Sequence, residues 1–375
     1  TGAAGATGAA GATGASGVAG SITQLTDALI EDSSIYIGND PSSTTNSALE
    51  NIAIGVTALD SITTGDYNIA IGHDALTANT SGQDNVAVGR KSLFTNSVGG
   101  QNVAVGQRAM HQNTDGSYNA AFGFQALYSN TQGGFNSAFG PRALYSNTTG
   151  SSNNASGHEA LYSNTTGIDN LAVGTQSLRA NTTGSANLAF GYRALYSNTS
   201  ADYNLAFGDY ALTSNTTGER NVASGFAALY ANTTGKWNTT SGYQTLYSNT
   251  TGERNIAFGY QSLVFNTTGN SNAASGFQAL YANTTGDGNT ATGYYALDTN
   301  VAGTYNTAIG YNTDVASASL TNATAIGNGA TVTASNTMQL GNASVTDVLT
   351  SGDMTIGGTY YVSSDRRLKK DIVDT

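Results

Sequence analysis

Few side chains in this chain have the type and spacing that chemistry requires. The three histidines, His73, His111 and His158, are far apart in sequence. A zinc site needs three or four ligands converging on one point, so these read as separate polar residues and no metal is expected. The aspartates lack the G-G-x-G-x-D spacing of calcium-loaded rolls, and no G-x-x-x-x-G-K phosphate loop occurs. Aromatic residues are better placed for recognition. Tyr67, Tyr118, Tyr203 and Trp237 each stand directly before a recurring asparagine, after Asp66, Ser117, Asp202 and Lys236. At an exposed turn such rings either stack on the sugars of a cell-surface glycan or simply cover the next turn of chain.

The repeated Asn-Thr-Thr triplet offers two further readings. It matches the N-x-T glycosylation acceptor at Asn147, Asn164, Asn215 and Asn249. Stacked repeats would crowd sugars to ~5 Å apart, so an internal asparagine ladder is expected instead. The paired threonines also fit a flat, water-ordering, ice-binding face, but Ser97, Val98, Asp115 and Gln132 interrupt it.

What must position these residues is a repeat. From Asn51 an asparagine returns at every seventeenth position up to Asn306, and the unit reads N-x-A-x-G-x-x-(A/S)-L-x-x-N-T-T-G-x-x. Numbering places from that asparagine, the fifth is always Gly, from Gly55 to Gly310. The ninth is Leu, or Met110 in one unit, and fills the interior. The third is Ala except at Thr240, as expected of a wall too close for anything larger. The fourth runs from Ile54 and Phe122 to Ser156 and Ser224, which suits an interface between protomers or a partly wet groove.

Such a unit is too short for a helical hairpin, and Asn-Thr-Thr-Gly would break a helix. The pattern predicts an all-β parallel β-solenoid, or β-roll. Each coil has two short strands, N-x-A-x-G and A-L-Tyr, and the N-T-T-G glycine takes positive φ in a turn. At ~4.8 Å per coil the repeats make a rod roughly 75 Å long.

Flanking segments differ. Residues 1–21 carry glycine at every third place from Gly2 to Gly20, the period of a collagen-like triple helix, and so predict a homotrimer. A connector covers 22–50, the 17-residue solenoid 51–311, shorter coils 312–345, a strand-rich neck 346–363 and a charged tail 364–375. The chain opens in a repeat with no initiator methionine and reads as part of a longer protein.

Composition narrows the function classes. There are 47 Gly but 2 Pro, charged residues make up 10%, and the formal net charge is −11, which disfavours nucleic acid and anionic membrane as partners. Zero cysteines exclude a disulfide scaffold and thiolate metal sites. No apolar run approaches the ~20 residues of a membrane span. No catalytic constellation and no cofactor are expected, and the chain reads as a presenter of surface.

Two stretches resemble known families. NVAVG at 102–106 and ATAIGNGA at 323–330 resemble the head repeats of trimeric autotransporter adhesins, which implies a trimer of β-rolls over 51 to about 345. The ending SSDRRLKKDI resembles the start of the intramolecular chaperone domain behind endosialidases and many phage tail fibres. In that family a serine and a lysine five residues later perform self-cleavage, and Ser364 and Lys369 match those two places. Only eleven residues follow Ser364, so the resemblance covers just the beginning of that domain. Together these resemblances imply an extracellular fibre, on a virion tail or a cell surface, that attaches to a glycan or protein receptor. A bacterial adhesin or filament and an ice- or glycan-binding solenoid are the alternatives.

Overall fold

Each unit of the repeat contributes one short strand, its second to fourth places, and turns back on itself in the rest. A computed structural model of the chain describes residues 28–31, 33–38 and 47–347. All secondary structure among them is β, wound into a parallel solenoid of about 18 turns. Strands β1 (Ala28–Glu31) and β2 (Ser34–Ile37) form an antiparallel hairpin, and β2 pairs in parallel with β3 (Ile52–Ile54). Strands β3 to β18 then recur with the period of the asparagines as far as Thr307–Ile309, each in register with the next.

The register begins before the first asparagine. Ser34 holds the asparagine's place and its hydroxyl accepts the Asn51 N–H at 2.9 Å, while Tyr36 holds the alanine's place, fully buried. It also continues past residue 311. Strand β19 (Asp314–Val315) lies in the A-L half, and β20 (Thr324–Ile326) still pairs one full period on from β18, Thr324 opposite Thr307. The coil shortens only between β20 and β22 (Met338–Leu340), where Met338 already faces Thr324 and β21 (Thr331–Val332) pairs with β19. The collagen-like residues 1–21, most of the neck 346–363 and the tail 364–375 lie outside the described residues.

The interior is narrow. Alanine at the third place and the Ala-Leu pair at the eighth and ninth are essentially solvent-free from Ala53, Ala58 and Leu59 to Ala291, Ala296 and Leu297. Successive strand residues point to opposite faces. Two adjacent buried residues therefore rule out the second strand expected at A-L-Tyr. Instead the seventh place has φ between 51° and 61° and the ninth between 48° and 54°, for Thr57, Arg193 and Leu195 as for the rest. Left-handed conformations cost bulky L-residues roughly 1–2 kcal/mol each, and here they recur without glycine. What holds them is the axial ladder: the Asp74 N–H donates to the Val56 carbonyl of the coil before (3.0 Å), and the Leu59 N–H to the Ala75 carbonyl of the coil after (3.1 Å). Each left-handed residue aims its N–H along the rod.

The positive φ expected at the N-T-T-G glycine belongs instead to the glycine closing each strand, with Gly55 at 134° and Gly191 at 127°. A Cβ on Gly55 would meet the Gly72 carbonyl carbon at 2.8 Å, so the neighbouring coil excludes larger residues as firmly as the dihedral does.

Two asparagine ladders fill the polar side of the interior. The Asn68 N–H donates to Asn51 Oδ1 (2.9 Å), and Asn68 Nδ2 to the Gly82 carbonyl of its own coil (2.9 Å). Asn79, from Asn-Thr-Ser, donates Nδ2 to that same carbonyl (2.9 Å) and accepts from Asn96 Nδ2 at 3.0 Å. Asn147, Asn164, Asn215 and Asn249 occupy the same place and are fully buried. They belong to the ladder and not to an exposed glycosylation acceptor.

Candidate functional site

Stacking turns every variable place into a column, and the columns are the candidate sites. Tyr67, Tyr118, Tyr203 and Trp237 share the seventeenth place, each with φ near 60°, and lie in one exposed file three, five and two coils apart. They do not converge. Three of them already have a ring face covered by the next coil: Phe135 stacks on Tyr118 at 4.8 Å and 4°, Arg220 lies 5.4 Å from Tyr203, and Arg254 lies 4.8 Å from Trp237. Tyr67, followed in the file by Asp84, has neither a ring nor a cation over it among the described residues. Beside this file Glu219 pairs with Arg220 of its own coil and Lys236 of the next at 3.5 and 3.7 Å.

Two longer aromatic columns stand out; the sequence reading placed the tyrosine of the first in a strand, A-L-Tyr, and passed over the second. At the tenth place Phe94, His111, Tyr128, Tyr145 and Tyr162 stack continuously at 5.0–5.1 Å. The column continues through Arg179, whose guanidinium lies 5.0 Å from Tyr162 and 5.9 Å from Tyr196, while its Nε donates to Glu159 at 2.8 Å. That hydrogen bond holds the Glu159 carboxyl below its ordinary range. At the sixth place Phe226, Tyr243, Tyr260, Phe277, Tyr294 and Tyr311 stack at 4.9–5.3 Å and within 10° of parallel. Beside them Gln278 donates to Gln261 (2.9 Å) and Gln261 to Gln244 (3.0 Å) at the seventh place. Reading every seventeenth residue down each place would have revealed the sixth-place column, because six units in succession are aromatic there.

The outward face of the sheet is a third surface. Its second and fourth places include Ile52, Ile54, Ile71, Phe122, Phe139, Leu188, Ile256 and Phe258, all exposed, with Phe207 at 57%. Asn154, Ser156, Thr239, Ser241, Ser275, Thr290 and Thr292 interrupt it, leaving apolar stretches from Ile52 to Phe122 and from Leu171 to Phe207, and monomers rarely leave apolar patches beyond a few hundred Å² open.

The histidines are separate. His73 pairs with Asp74 at 2.7 Å, and His158 lies in another coil. His111 is clamped between Phe94 and Tyr128, where burial first, then Arg108 and Lys91, hold its pKa below the usual value. Among the described residues no three His, Asp or Glu side chains are grouped to hold a metal. Ser364 and Lys369 lie outside the described residues. No family model and no curated protein matches the chain.

Proposed function

We propose that the chain is the rod subunit of an extracellular attachment fibre of the phage tail-fibre kind, which assembles as a homotrimer and works by presenting surface. The observation that carries this reading is the apolar outward face of the sheet. Apolar stretches of this face, from Ile52 to Phe122 and from Leu171 to Phe207, gain most by meeting copies of themselves side by side, and Phe122, Phe139, Phe207 and Phe258 are the largest exposed residues at the fourth place. Collagen-like triplets at residues 1–21 support the same stoichiometry. Attachment then falls to the exposed columns, for a glycan or protein receptor.

A bacterial surface adhesin built from the same rod is the second reading, favoured by the ATAIGNGA coil around β20. An ice-binding face is less well supported, because the first hydroxyl of each threonine pair is spent on the ladder. Thr148 Oγ1, for example, donates to the Thr165 carbonyl at 3.0 Å, leaving only the second threonine outward.

Serine already occupies the fourth place at Ser156, Ser224, Ser241 and Ser275. Replacing Phe122, Phe139, Phe207 and Phe258 together by Ser should therefore leave each coil folded. Sedimentation of this variant should show the trimer dissociating at micromolar concentration with its β-type circular dichroism intact; an unchanged mass would remove the sheet face from the interface.

A further inference from the structure

In a stacked column each ring uses both faces on its neighbours and offers only its edge to solvent. A ring face becomes available only where a column stops. Two columns stop together at one coil. In the unit beginning at Asn204, the sixth place is Asp209 and the tenth is Thr213. One coil later the sixth-place column starts with Phe226, stacked on Tyr243 at 5.3 Å, and a tenth-place pair starts with Tyr230, stacked on Tyr247 at 5.0 Å. The faces of Phe226 and Tyr230 toward Asp209 and Thr213 carry no parallel ring. Tyr210 meets them only at an angle, 77° to Phe226 and 60° to Tyr230.

The floor opens at the same point. The seventh place is filled by long side chains in the units around it, Gln176, Arg193 and Tyr210 before and Gln244, Gln261 and Gln278 after, but Ala227 stands between them. The result is an open groove of about 400 Å³ over Ala227, walled by Phe226 on one side and Tyr230 and Tyr247 on the other, and closed along the rod by Tyr210 and Arg193 at one end and Gln244 at the other. That volume is in the range of small-molecule sites. The Arg193 guanidinium is held in place by its Nε hydrogen bond to Gln176 (2.9 Å) and by the Tyr192 and Tyr196 rings at 5.2 Å. Among the described residues no carboxylate pairs with it.

We propose that this groove binds a pyranose bearing a carboxylate, a uronate unit of an acidic polysaccharide. The C–H face of the sugar lies on Phe226 or Tyr230, the carboxylate meets the Nη donors of Arg193, and the Gln244 amide and tyrosine hydroxyls take the ring hydroxyls. The groove lies on the arc of the sixth to tenth places, away from the strand face assigned to self-association. Binding here stands or falls independently of the trimer.

Two substitutions test it with little risk to folding, because each copies a residue the same place holds in a neighbouring coil at a similar φ: 52° for Ala227 and Gln244, 54° and 59° for Arg193 and Gln176. Saturation-transfer NMR on the full chain would use methyl glucuronoside, methyl glucoside and benzoate as probes. The expected result is a signal from the glucuronoside that Ala227→Gln abolishes and Arg193→Gln weakens at least tenfold, with the weaker glucoside signal unaffected by Arg193→Gln and both melting temperatures unchanged. A glucuronoside signal that survives Ala227→Gln, silence from both sugars, or binding of benzoate alone would overturn the proposal.

Discussion

Asparagine and aspartate show how much a buried polar residue depends on its column. The ladder asparagines satisfy a neighbour's Oδ1 or N–H and a turn carbonyl at once, as Asn68 and Asn79 do at Gly82 and Asn187 and Asn198 at Ala201, so a narrow rod can keep two polar files in its interior. Asp314, near the end of the stack, lacks such a ladder. Burial first, then the adjacent Asp298, push its carboxyl up to about 7, although the Thr299 hydroxyl (2.7 Å) and the Val315 N–H (2.8 Å) oppose the shift. The unfolded chain releases this proton near 3.8. Between the two values the folded state binds more protons than the unfolded state, so stability there falls as pH rises, with the penalty complete above 7. Hydrogen exchange corrected for intrinsic rates should show the coils around Thr299 and Asp314 opening more readily at pH 8 than at pH 5, and Asp314→Asn should remove the difference. Equal protection at both pH values in the parent chain would contradict this. The asparagine register was legible because identity at a fixed spacing needs no geometry to see. The depth of Asp314 was not, because it depends on where the coil shortens.

At the scale of the coil, sequence identified the inward alanine and leucine but misjudged the conformation between them. Leu195 in a run such as Tyr-Arg-Ala-Leu-Tyr satisfies strand propensity, and nothing in its side chain announces φ of 52°; the axial hydrogen bonds that hold it exist only once coils stack. The recurring tenth-place tyrosine was visible, but the continuity of its column was hidden for a related reason. Phe94, His111, Tyr128 and Arg179 look unrelated along the chain and become equivalent planar groups only in register. The groove at Ala227 is lined from four successive coils, so no single repeat encodes it. Since each coil touches only its neighbours, truncating Leu195 to Ala should cost about 2–5 kcal/mol and act locally. Amide exchange should rise between Leu178 and Leu212 while the coils of Leu59 and Leu297 keep their protection. A uniform loss along the rod would mean that it melts as one unit.

For the whole molecule, the solenoid makes one continuous parallel stack, and its outward sheet face is the surface on which the proposed self-association rests. The interior of one chain is closed by alanine, leucine and asparagine, so the association proposed above adds nothing to that core and is assigned to the apolar second and fourth places. Trimerisation is therefore the claim on which the fibre reading turns, and it is independent of the sugar groove. The most direct test is the solution mass of the intact chain by light scattering at micromolar concentration. The fibre account predicts about three times the chain mass of 38.1 kDa. A mass equal to one chain, stable on further concentration, would contradict it and leave a single-chain rod.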